Sequence, residues 1–290
     1  MAGNSLVGKL MTTYRRSKFH NAKNGKLLAS VLAKYVSLLP QKEIVKKIGD
    51  WKYHLDLTQV IDSSLFFTGS FEPNVELLLD QFLTPGMTAI DIGANIGYHT
   101  LRMAHHTQPG GLVYAIEPSP WAFQRLMRNL ALNPSIDNVK ACQIGLSEKE
   151  LGNVSESFVS SYSLSDHSDQ LDSTLVRMTS LDEFVISEHI NKVHFIKMDV
   201  DGYEGKIITG GKQILKRDHP TIIFEITPSK LMKTGYDPFA LLSCLTEFGY
   251  LLYTDDLLPI KKFAGFIENH QEDDSSMIFA KTGSLDNTNC

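Results

Sequence analysis

A series of short apolar runs, most of them followed by a helical pattern, constrains the fold of this chain more than any other feature. The runs are TAIDIG (88–93), GLVYAIEP (111–118), VKACQIGL (139–146), VHFIKMDV (193–200) and TIIFEI (221–226). The helical patterns cover 96–107, 120–133, 205–217 and 237–249. Near-continuous apolar strands that alternate with helices are typical of a parallel sheet covered on both faces. The closing runs YLLYTDD and SSMIFAKT have only a polar loop between them, which predicts one antiparallel strand.

Three further segments surround this pattern. IVKKIGDWKYHLDL alternates around Gly49 and Asp50, as a β-hairpin does. Residues 73–83 are amphipathic with Pro73 in the first turn, which predicts a helix. Residues 147–180 are rich in Ser and Asp and fit an inserted loop or hairpin. We divide the chain into an N-terminal extension (1–44), a main domain (45–286) and a short tail (287–290).

The composition excludes several classes of protein. Apolar residues make up 42% and charged residues 21% of the 290 residues, which is usual for a globular protein. Cys142, Cys244 and Cys290 are far apart, which argues against a disulfide framework or a structural zinc site. No apolar run approaches the ~20 residues of a membrane-spanning helix, and basic residues interrupt the early apolar stretches, unlike a signal peptide. We expect a reducing, cytoplasmic location and no nucleic-acid partner.

The N-terminal extension differs in charge from the rest of the chain. Residues 1–42 contain eight Lys or Arg and no Asp or Glu, whereas the remainder carries 20 basic and 33 acidic residues, a net −13. Within it, KLLASVLAKYVSLLP (26–40) predicts a helix with one apolar face, formed by Leu28, Val31, Leu32, Tyr35, Val36 and Leu39. We favour a helix docked on the main domain. The alternatives are peripheral contact with an anionic membrane or a targeting segment.

The stretch DIGANIGYHT (91–100) contains the strongest candidate for a ligand-binding turn. Ligands of such sheets bind beyond the carboxyl ends of the strands, and glycines there allow close backbone approach. The turn lacks the third glycine of a G-x-G-x-x-G nicotinamide site, which disfavours a dehydrogenase, and it lacks the Gly-Lys-Ser/Thr of a P-loop. Asp91 would repel a pyrophosphate but would suit a ligand with an ammonium group. S-adenosylmethionine carries such a group, and Glu117 at the end of the next strand could bind its ribose hydroxyls.

Six sequence blocks together resemble the FkbM-type S-adenosylmethionine-dependent methyltransferases. The blocks are DIGANIGYHT, AIEPSP, IGLSEKE, TSLDEFV, HFIKMDVDGYEGKIITGG and IIFEI, in the order of the family, and FEP (71–73) resembles an upstream block. The resemblance covers residues 45–285. It implies an α/β, Rossmann-like class I methyltransferase fold with a seven-stranded, mostly parallel sheet and one antiparallel strand. It also implies methyl transfer, usually to a hydroxyl of a sugar, glycolipid or polyketide.

The resemblance also implies roles for particular residues. Asp91 and the backbone of the turn should hold the methionine end of the cofactor, and Glu117 should bind the ribose. The other residues assigned to the cofactor are Glu72, Gly93, Ala94, Asn95, Gly97, Pro118, Ser119, Gly145 and Leu146, the last two bordering adenine at the end of the third strand. Phe71 and Glu72 could equally lie on the surface. His99 is a weaker candidate for a base, and we expect Trp121 and Phe123 to be core residues.

Acidic residues at two further strand ends are the candidates for catalysis. Asp199 follows the fourth strand and Glu225 lies near the end of the fifth. The block Asp199-Val200-Asp201-Gly202 departs from the family's Asp-Val-Glu-Gly, which shortens the second acid by one methylene. Two mechanisms stay open: a Mg²⁺ site, or metal-free catalysis in which Asp199 accepts a hydrogen bond and Glu225 orients or deprotonates the acceptor. No third ligand adjoins Glu225, which favours the metal-free mechanism. N-methylation, or cofactor binding without catalysis, is the alternative function.

Overall fold

A seven-stranded sheet forms the centre of the computed structural model, which describes residue 9 and residues 31–163, 169–268 and 275–285. The strands, in the order β11-β12-β10-β9-β3-β4-β5, are Tyr250–Thr254, Ser276–Thr282, Thr221–Ile226, Phe195–Met198, Thr88–Ile92, Leu112–Ile116 and Val139–Cys142. All neighbours are parallel except for β12, which is antiparallel to both β10 and β11. The predicted α/β sheet with one antiparallel strand is therefore confirmed.

Helices cover both faces of this sheet. They are α1 (Val60–Thr68), α2 (Pro73–Phe82), α3 (Tyr98–Thr107), α4 (Pro120–Ala131), α5 (Leu181–Ser187), α6 (Glu204–Gly210), α7 (Lys212–Asp218), α8 (Pro228–Lys233), α9 (Pro238–Glu247) and α10 (Phe263–Glu268). The single helix predicted over 205–217 is two helices, α6 and α7, which meet at Gly211. The loop predicted between the last two strands contains α10, because Phe263, Phe266 and Ile267 pack onto the core.

Two smaller sheets accompany the central one. The predicted N-terminal hairpin is confirmed as β1 (Glu43–Ile48) and β2 (Trp51–Asp56), which are antiparallel. The predicted insertion is a long hairpin of β7 (Gly152–Tyr162) and β8 (Asp169–Ser180), and β6 (Gly145–Ser147) pairs in parallel with β8. The predicted third strand over 139–146 is therefore wrong at its end. The chain leaves the central sheet after Cys142 and then enters this three-stranded sheet.

The N-terminal extension contributes to the core of the main domain. Residues 31–37 are helical, and Leu32 and Val36 are buried within the cluster that also contains α1, α2 and α3. The predicted apolar face is only partly buried, because Val31 and Tyr35 are exposed. Leu28 and the tail 287–290 lie outside the described residues, and the domain boundaries that we assigned stay predictions. None of the described helices has the length and apolar character required to span a membrane.

Alternate residues of the central strands face two separate hydrophobic clusters. Ala89, Phe195 and Ile223 face the cluster under α1, α2 and α3 and the segment 31–37. Their neighbours along the chain, Ile90, Ile196 and Phe224, face the opposite cluster, which includes α5, α6, α7 and α9. We call these the α2/α3 face and the α6/α9 face. This alternation follows from the two-residue period of a β-strand and decides which side chains meet beyond the strand ends.

Candidate active site

Strand register brings four of the predicted site residues into one row. In the three parallel pairs at the centre of the sheet, the last paired residues are Ile116, Ile92, Met198 and Phe224. The next residues in each strand are Glu117, Gly93, Asp199 and Glu225, which therefore follow one another across the carboxyl edge of β4, β3, β9 and β10. Glu117 and Glu225 are separated in sequence by more than a hundred residues but belong to the same edge. The predicted site is a single location in the fold.

The turn after β3 is tightly packed against the end of β9. Gly93 has a φ of 80°, and a Cβ at this position would lie 2.0 Å from the carbonyl oxygen of Asp199. Only glycine fits there, because the backbone conformation and the space both exclude a side chain. Asn95 also has a positive φ, of 48°, and Gly97 precedes α3 without a side-chain cap. The free N–H groups at the start of α3 therefore point toward the site.

Glu117 connects the first two loops of the site. Its side-chain oxygens accept hydrogen bonds from the backbone N–H of Asn95 at 2.8 Å and of Ser119 at 2.9 Å. The residue is only 6% exposed, and burial raises the pKa of its carboxyl from 4.5 to about 7, although these two hydrogen bonds oppose the shift. Each oxygen retains a further lone pair, so the carboxylate can accept two more hydroxyl groups. Ser119, after Pro118, caps α4 through a hydrogen bond from the N–H of Ala122.

A buried lysine that the sequence analysis did not identify joins two of the predicted acids. Lys197 is 3% exposed, and its Nζ lies 3.7 Å from Asp91 Oδ1 and 3.6 Å from Asp199 Oδ2. Burial alone would lower the pKa of Lys197, but the carboxylates of Asp199 and Asp91 raise it above its ordinary value. Its place in an otherwise apolar strand run was the available signal, because a lysine in a central strand requires a charged partner.

Asp199 and Glu225 occupy adjacent strand ends and influence each other. Burial raises the pKa of both carboxyl groups, and the proximity of Asp199 raises that of Glu225 further, to well above its ordinary value. Lys197 opposes the shift at Asp199, whereas Lys230 of α8 opposes it at Glu225 and forms an ion pair with Asp201. Their burial and mutual repulsion therefore disfavour simultaneous ionisation of the two carboxyl groups.

Glu72 reaches the site from the α2/α3 face. Its Oε2 lies 2.9 Å from Nε2 of His99, and its charge acts on both Lys197 and Asp199. Glu72 also has a left-handed backbone, with φ 56° and ψ 65°, directly before α2. Strained conformations of this kind are concentrated at functional sites. Glu72 thus lies close to Lys197 and Asp199 and is half-buried, and His99 is buried beside it. Its contact with the cofactor stays a prediction.

Some residues do not lie where the sequence predicted them. Gly145 and Leu146 are buried in β6, paired with Met178 and Thr179, and do not end the third central strand as predicted. Their contact with adenine stays a prediction. Phe123 packs against a small core cluster as expected. Trp121 does not belong to the core, because it is half-buried with the guanidinium of Arg125 4.6 Å from its ring centroid.

Buried polar atoms at this edge lack hydrogen-bond partners. Among the described residues, these atoms include Asp91 Oδ1, His99 Nδ1, Glu204 Oε2 and Thr227 Oγ1. Glu204 follows β9, and burial raises the pKa of its carboxyl to about 7. Because an unpaired buried polar group is costly, such a concentration of unpaired atoms fits a polar ligand with donors and acceptors. In the ranges that the structure describes, no three His, Cys, Asp or Glu side chains are arranged to hold a metal ion.

Several proteins that are similar to this chain are methyltransferases. Over 58 residues, 20% of this chain and 22% of the relative, the chain is 47% identical to Methyltransferase sdnD of Sordaria araneosa. The solved structure of a methyltransferase FkbM from Methylobacillus flagellatus KT has a TM-score of 0.42 at 16% identity, over 67% of this chain and 43% of that one. M. jannaschii TYW2, solved in complex with AdoMet, has a TM-score of 0.42 at 16% identity, over 84% and 87% of the two chains.

The first two of these proteins, Methyltransferase sdnD and the Methylobacillus flagellatus methyltransferase, are matched over less than half of their own length. The Methyltransferase FkbM domain, which describes the family as a whole, matches residues 91–252 of this chain. The matched range contains Asp91, Glu117, Lys197, Asp199 and Glu225 and ends within β11. The match covers more than half of the 290 residues. The chain belongs to the FkbM methyltransferase family.

Proposed function

We propose that this protein is an S-adenosylmethionine-dependent methyltransferase that methylates a hydroxyl group on a sugar, glycolipid or polyketide-like acceptor. The observation that supports it best is the pair of buried acids at adjacent strand ends. Asp91 Oδ1 accepts no hydrogen bond, with Lys197 Nζ 3.7 Å away, and Glu117 has spare lone pairs on both oxygens. Between them lies a turn that leads into the uncapped start of α3. The ammonium of S-adenosylmethionine matches Asp91, its ribose diol matches Glu117, and its carboxylate matches the start of α3.

The residues present fit the cofactor in a definite orientation. Asp91 would accept hydrogen bonds from the ammonium, and the N–H groups of the first turn of α3, which have no partner within the helix, would bind the carboxylate. The N–H groups of Gly93, Ala94, Asn95 and Gly97 already donate to protein oxygens and shape the turn. Glu117 would bind the ribose hydroxyls, with Pro118 and Ser119 at that side. Gly145 and Leu146 would border adenine. When bound, S-adenosylmethionine supplies a methyl carbon attached to a positively charged sulfur.

Asp199 and Glu225 are the residues that we assign to catalysis. An alcohol is a weak nucleophile at neutral pH and gains from a base that removes its proton. Glu225, in its ionised form, would accept the proton of the acceptor hydroxyl, because it lies at the strand end next to Asp199 on the same face of the sheet. Asp199, held by Lys197, would orient the hydroxyl through a hydrogen bond. This mechanism needs no metal ion, and Mg²⁺ held by Asp199 and Glu225 is the alternative.

The cofactor assignment is tested by isothermal titration of the full chain with S-adenosylmethionine and, in parallel, with NAD. We expect binding of the first and none of the second. Glu117→Ala should weaken binding by about 1–3 kcal/mol, as for the loss of charge-assisted hydrogen bonds. Glu188→Ala, which removes a carboxylate paired with Lys140 far from the turn, should bind normally. Unchanged affinity in a folded Glu117→Ala variant would refute the assignment.

The acceptor is identified by incubating a cell extract with isotope-labelled cofactor and locating the labelled products by mass spectrometry. A labelled ether supports O-methylation, a labelled amine or amide supports the N-methylation alternative, and cofactor binding without any product supports a non-catalytic role. With the acceptor known, Asp199→Asn and Glu225→Gln should lower turnover much more than stability. Turnover that is lost with EDTA and restored with Mg²⁺ would replace the metal-free mechanism with the metal-dependent one.

A further inference from the structure

The helical segment 31–37 and the residue that follows it have two different sides. Leu32 and Val36 are buried in the core beside α1 and α2. On the other side Val31 is 47% exposed, Tyr35 41% and Leu38 76%. The segment is thus fixed to the domain by one side and presents a second set of large apolar side chains to the solvent.

The three exposed apolar residues form one stripe. At about 100° per residue, positions 31 and 35 lie roughly 40° apart around the helix axis. Leu38 follows in the turn that ends the helix, where its N–H donates to the carbonyl oxygen of Tyr35 at 3.2 Å. The Tyr35 ring contacts Phe67 of α1 edge-on, with the centroids 5.7 Å apart, so the stripe has a defined position on the domain. Singly exposed apolar residues are common, but three in one stripe on a docked helix indicate an interaction surface.

The charge around the stripe indicates what the surface contacts. Lys34 lies within the segment and Lys42 just after it, and both are exposed. Residues 1–42 as a whole have eight basic and no acidic side chains, whereas the rest of the chain has a net charge of −13. A net acidic body is repelled by an anionic surface, so we expect such a surface to approach the protein through this basic segment. Apolar side chains flanked by lysines are the combination that binds an anionic bilayer.

We propose that Val31, Tyr35 and Leu38, together with Lys34 and Lys42, form a docking surface for an anionic lipid bilayer. The stripe belongs to a segment that packs on the α2/α3 face, the face that also carries Asp91 and Asp199. Docking would therefore place the membrane on the same side of the sheet as the active site. The surface is independent of methyl transfer, because none of its five residues belongs to the proposed site.

Co-sedimentation of the full chain with lipid vesicles tests this surface. We expect several-fold more protein to pellet with phosphatidylcholine vesicles containing about one-third phosphatidylglycerol than with phosphatidylcholine alone, and high salt should reduce the bound fraction. Deletion of residues 1–42 is unsuitable, because it would also remove the buried Leu32 and Val36. Point substitutions on the exposed side preserve this packing.

Leu38→Asp should lower the fraction bound to anionic vesicles at least fivefold, and Lys34→Glu combined with Lys42→Glu should do the same. Leu77→Asp changes another largely exposed leucine, on α2, and this variant should bind vesicles like the unmodified protein. Thermal melting checks that each variant is folded. The proposal is overturned if the unmodified protein does not bind anionic vesicles or if Leu38→Asp binds them normally. If light scattering instead shows that the unmodified protein is a dimer and that Leu38→Asp is a monomer, the stripe binds a second copy of the chain.

Discussion

The two faces of the central sheet use the same strands for different purposes. On the α6/α9 face, Ile92, Met198 and Ile226 continue the apolar row up to the carboxyl edge, and all are buried. On the α2/α3 face, the row of Ala89, Phe195 and Ile223 changes into Asp91, Lys197 and Glu225 within the strands and into Asp199 directly after β9. One face is apolar throughout, whereas the other changes from apolar to ionisable side chains within two positions along each strand.

This difference shows how a single strand contributes to both stability and chemistry. Because side chains alternate between faces, a charged residue can be placed at every second position without breaking the apolar row behind it. The hydrophobic cluster on the α6/α9 face supports the backbone that carries the acids. We therefore expect substitutions on the two faces to separate stability from ligand binding.

The largest expected effect is on the apolar face. Phe224→Ala removes a fully buried ring beside Glu225 and should lower the free energy of unfolding by about 3–5 kcal/mol. Urea denaturation followed by circular dichroism measures the loss. Leu251→Ala, at an exposed position of β11, should cost less than about 0.5 kcal/mol. Cofactor affinity of the folded Phe224→Ala protein should change little, and a large change would contradict the separation of the two faces.

On the α2/α3 face, Lys197→Met should lower the free energy of unfolding by about 3 kcal/mol, because Asp91 and Asp199 lose their buried cation. Burial lowers the pKa of Lys197, but the two carboxylates raise it more, so its folded value lies above the unfolded 10.5. Its contribution is thus complete below pH 10.5 and is lost only as the pH rises through the folded value. The destabilisation should persist in denaturant titrations from pH 7 to 9.

A surface ion pair provides the control for this prediction. Lys140→Met breaks the exposed pair between Lys140 and Glu188 and should cost at most about 1 kcal/mol. Equal losses in the two lysine variants would show that the buried cation at β9 is not a special feature of the site. Lys197→Met should also alter cofactor binding, which Lys140→Met should leave unchanged.

The close approach of β3 and β9 is tested by two matched glycine substitutions. Gly93→Ala places a methyl group 2.0 Å from the carbonyl oxygen of Asp199 at a φ of 80°, and should cost about 2–3 kcal/mol with loss of cofactor binding. Gly69→Ala has nearly the same φ, 78°, but no atom within 4 Å of the added carbon. It should cost only the ~1 kcal/mol of the left-handed backbone. Equal melting temperatures for the two variants would contradict the steric argument.

The smallest expected effect is a gain in stability that is present at alkaline pH and absent at acidic pH. Glu204 is buried with one unpartnered oxygen, and burial raises the pKa of its carboxyl from 4.5 to about 7. The folded protein therefore holds a proton that the unfolded chain has lost, and stability falls as the pH rises from about 4.5 to about 7. Glu204→Gln should add about 2 kcal/mol at pH 8 and nearly nothing at pH 4.5.

Melting temperatures of Glu204→Gln across this pH range measure the gain. The surface substitution Glu150→Gln should change stability by less than about 0.5 kcal/mol at every pH. A stabilisation by Glu204→Gln that is independent of pH would show that the carboxyl does not titrate in the expected range.

Features encoded within short stretches could be predicted from the sequence. The apolar runs and the helical patterns predicted the parallel sheet, its antiparallel strand and the N-terminal hairpin, because hydrophobic periodicity is local. The Ser and Asp content of residues 147–180 predicted an inserted loop or hairpin there. Asp91, Glu117, Asp199 and Glu225 were identifiable because each lies at or next to the end of an apolar run. The parallel direction of the strands was then sufficient to predict that they share one edge.

Features that depend on contacts between distant segments were decided by the tertiary structure. The pairing of Lys197 with Asp91 follows from the register of β9 against β3, and the approach of Glu72 to His99 follows from the packing of α2 against α3. The transfer of Gly145 into a second sheet depends on β8, which is contributed by the insertion. Periodicity shows which residues share a face of one element. It does not show which other element covers that face, because this depends on side chains far away in the chain.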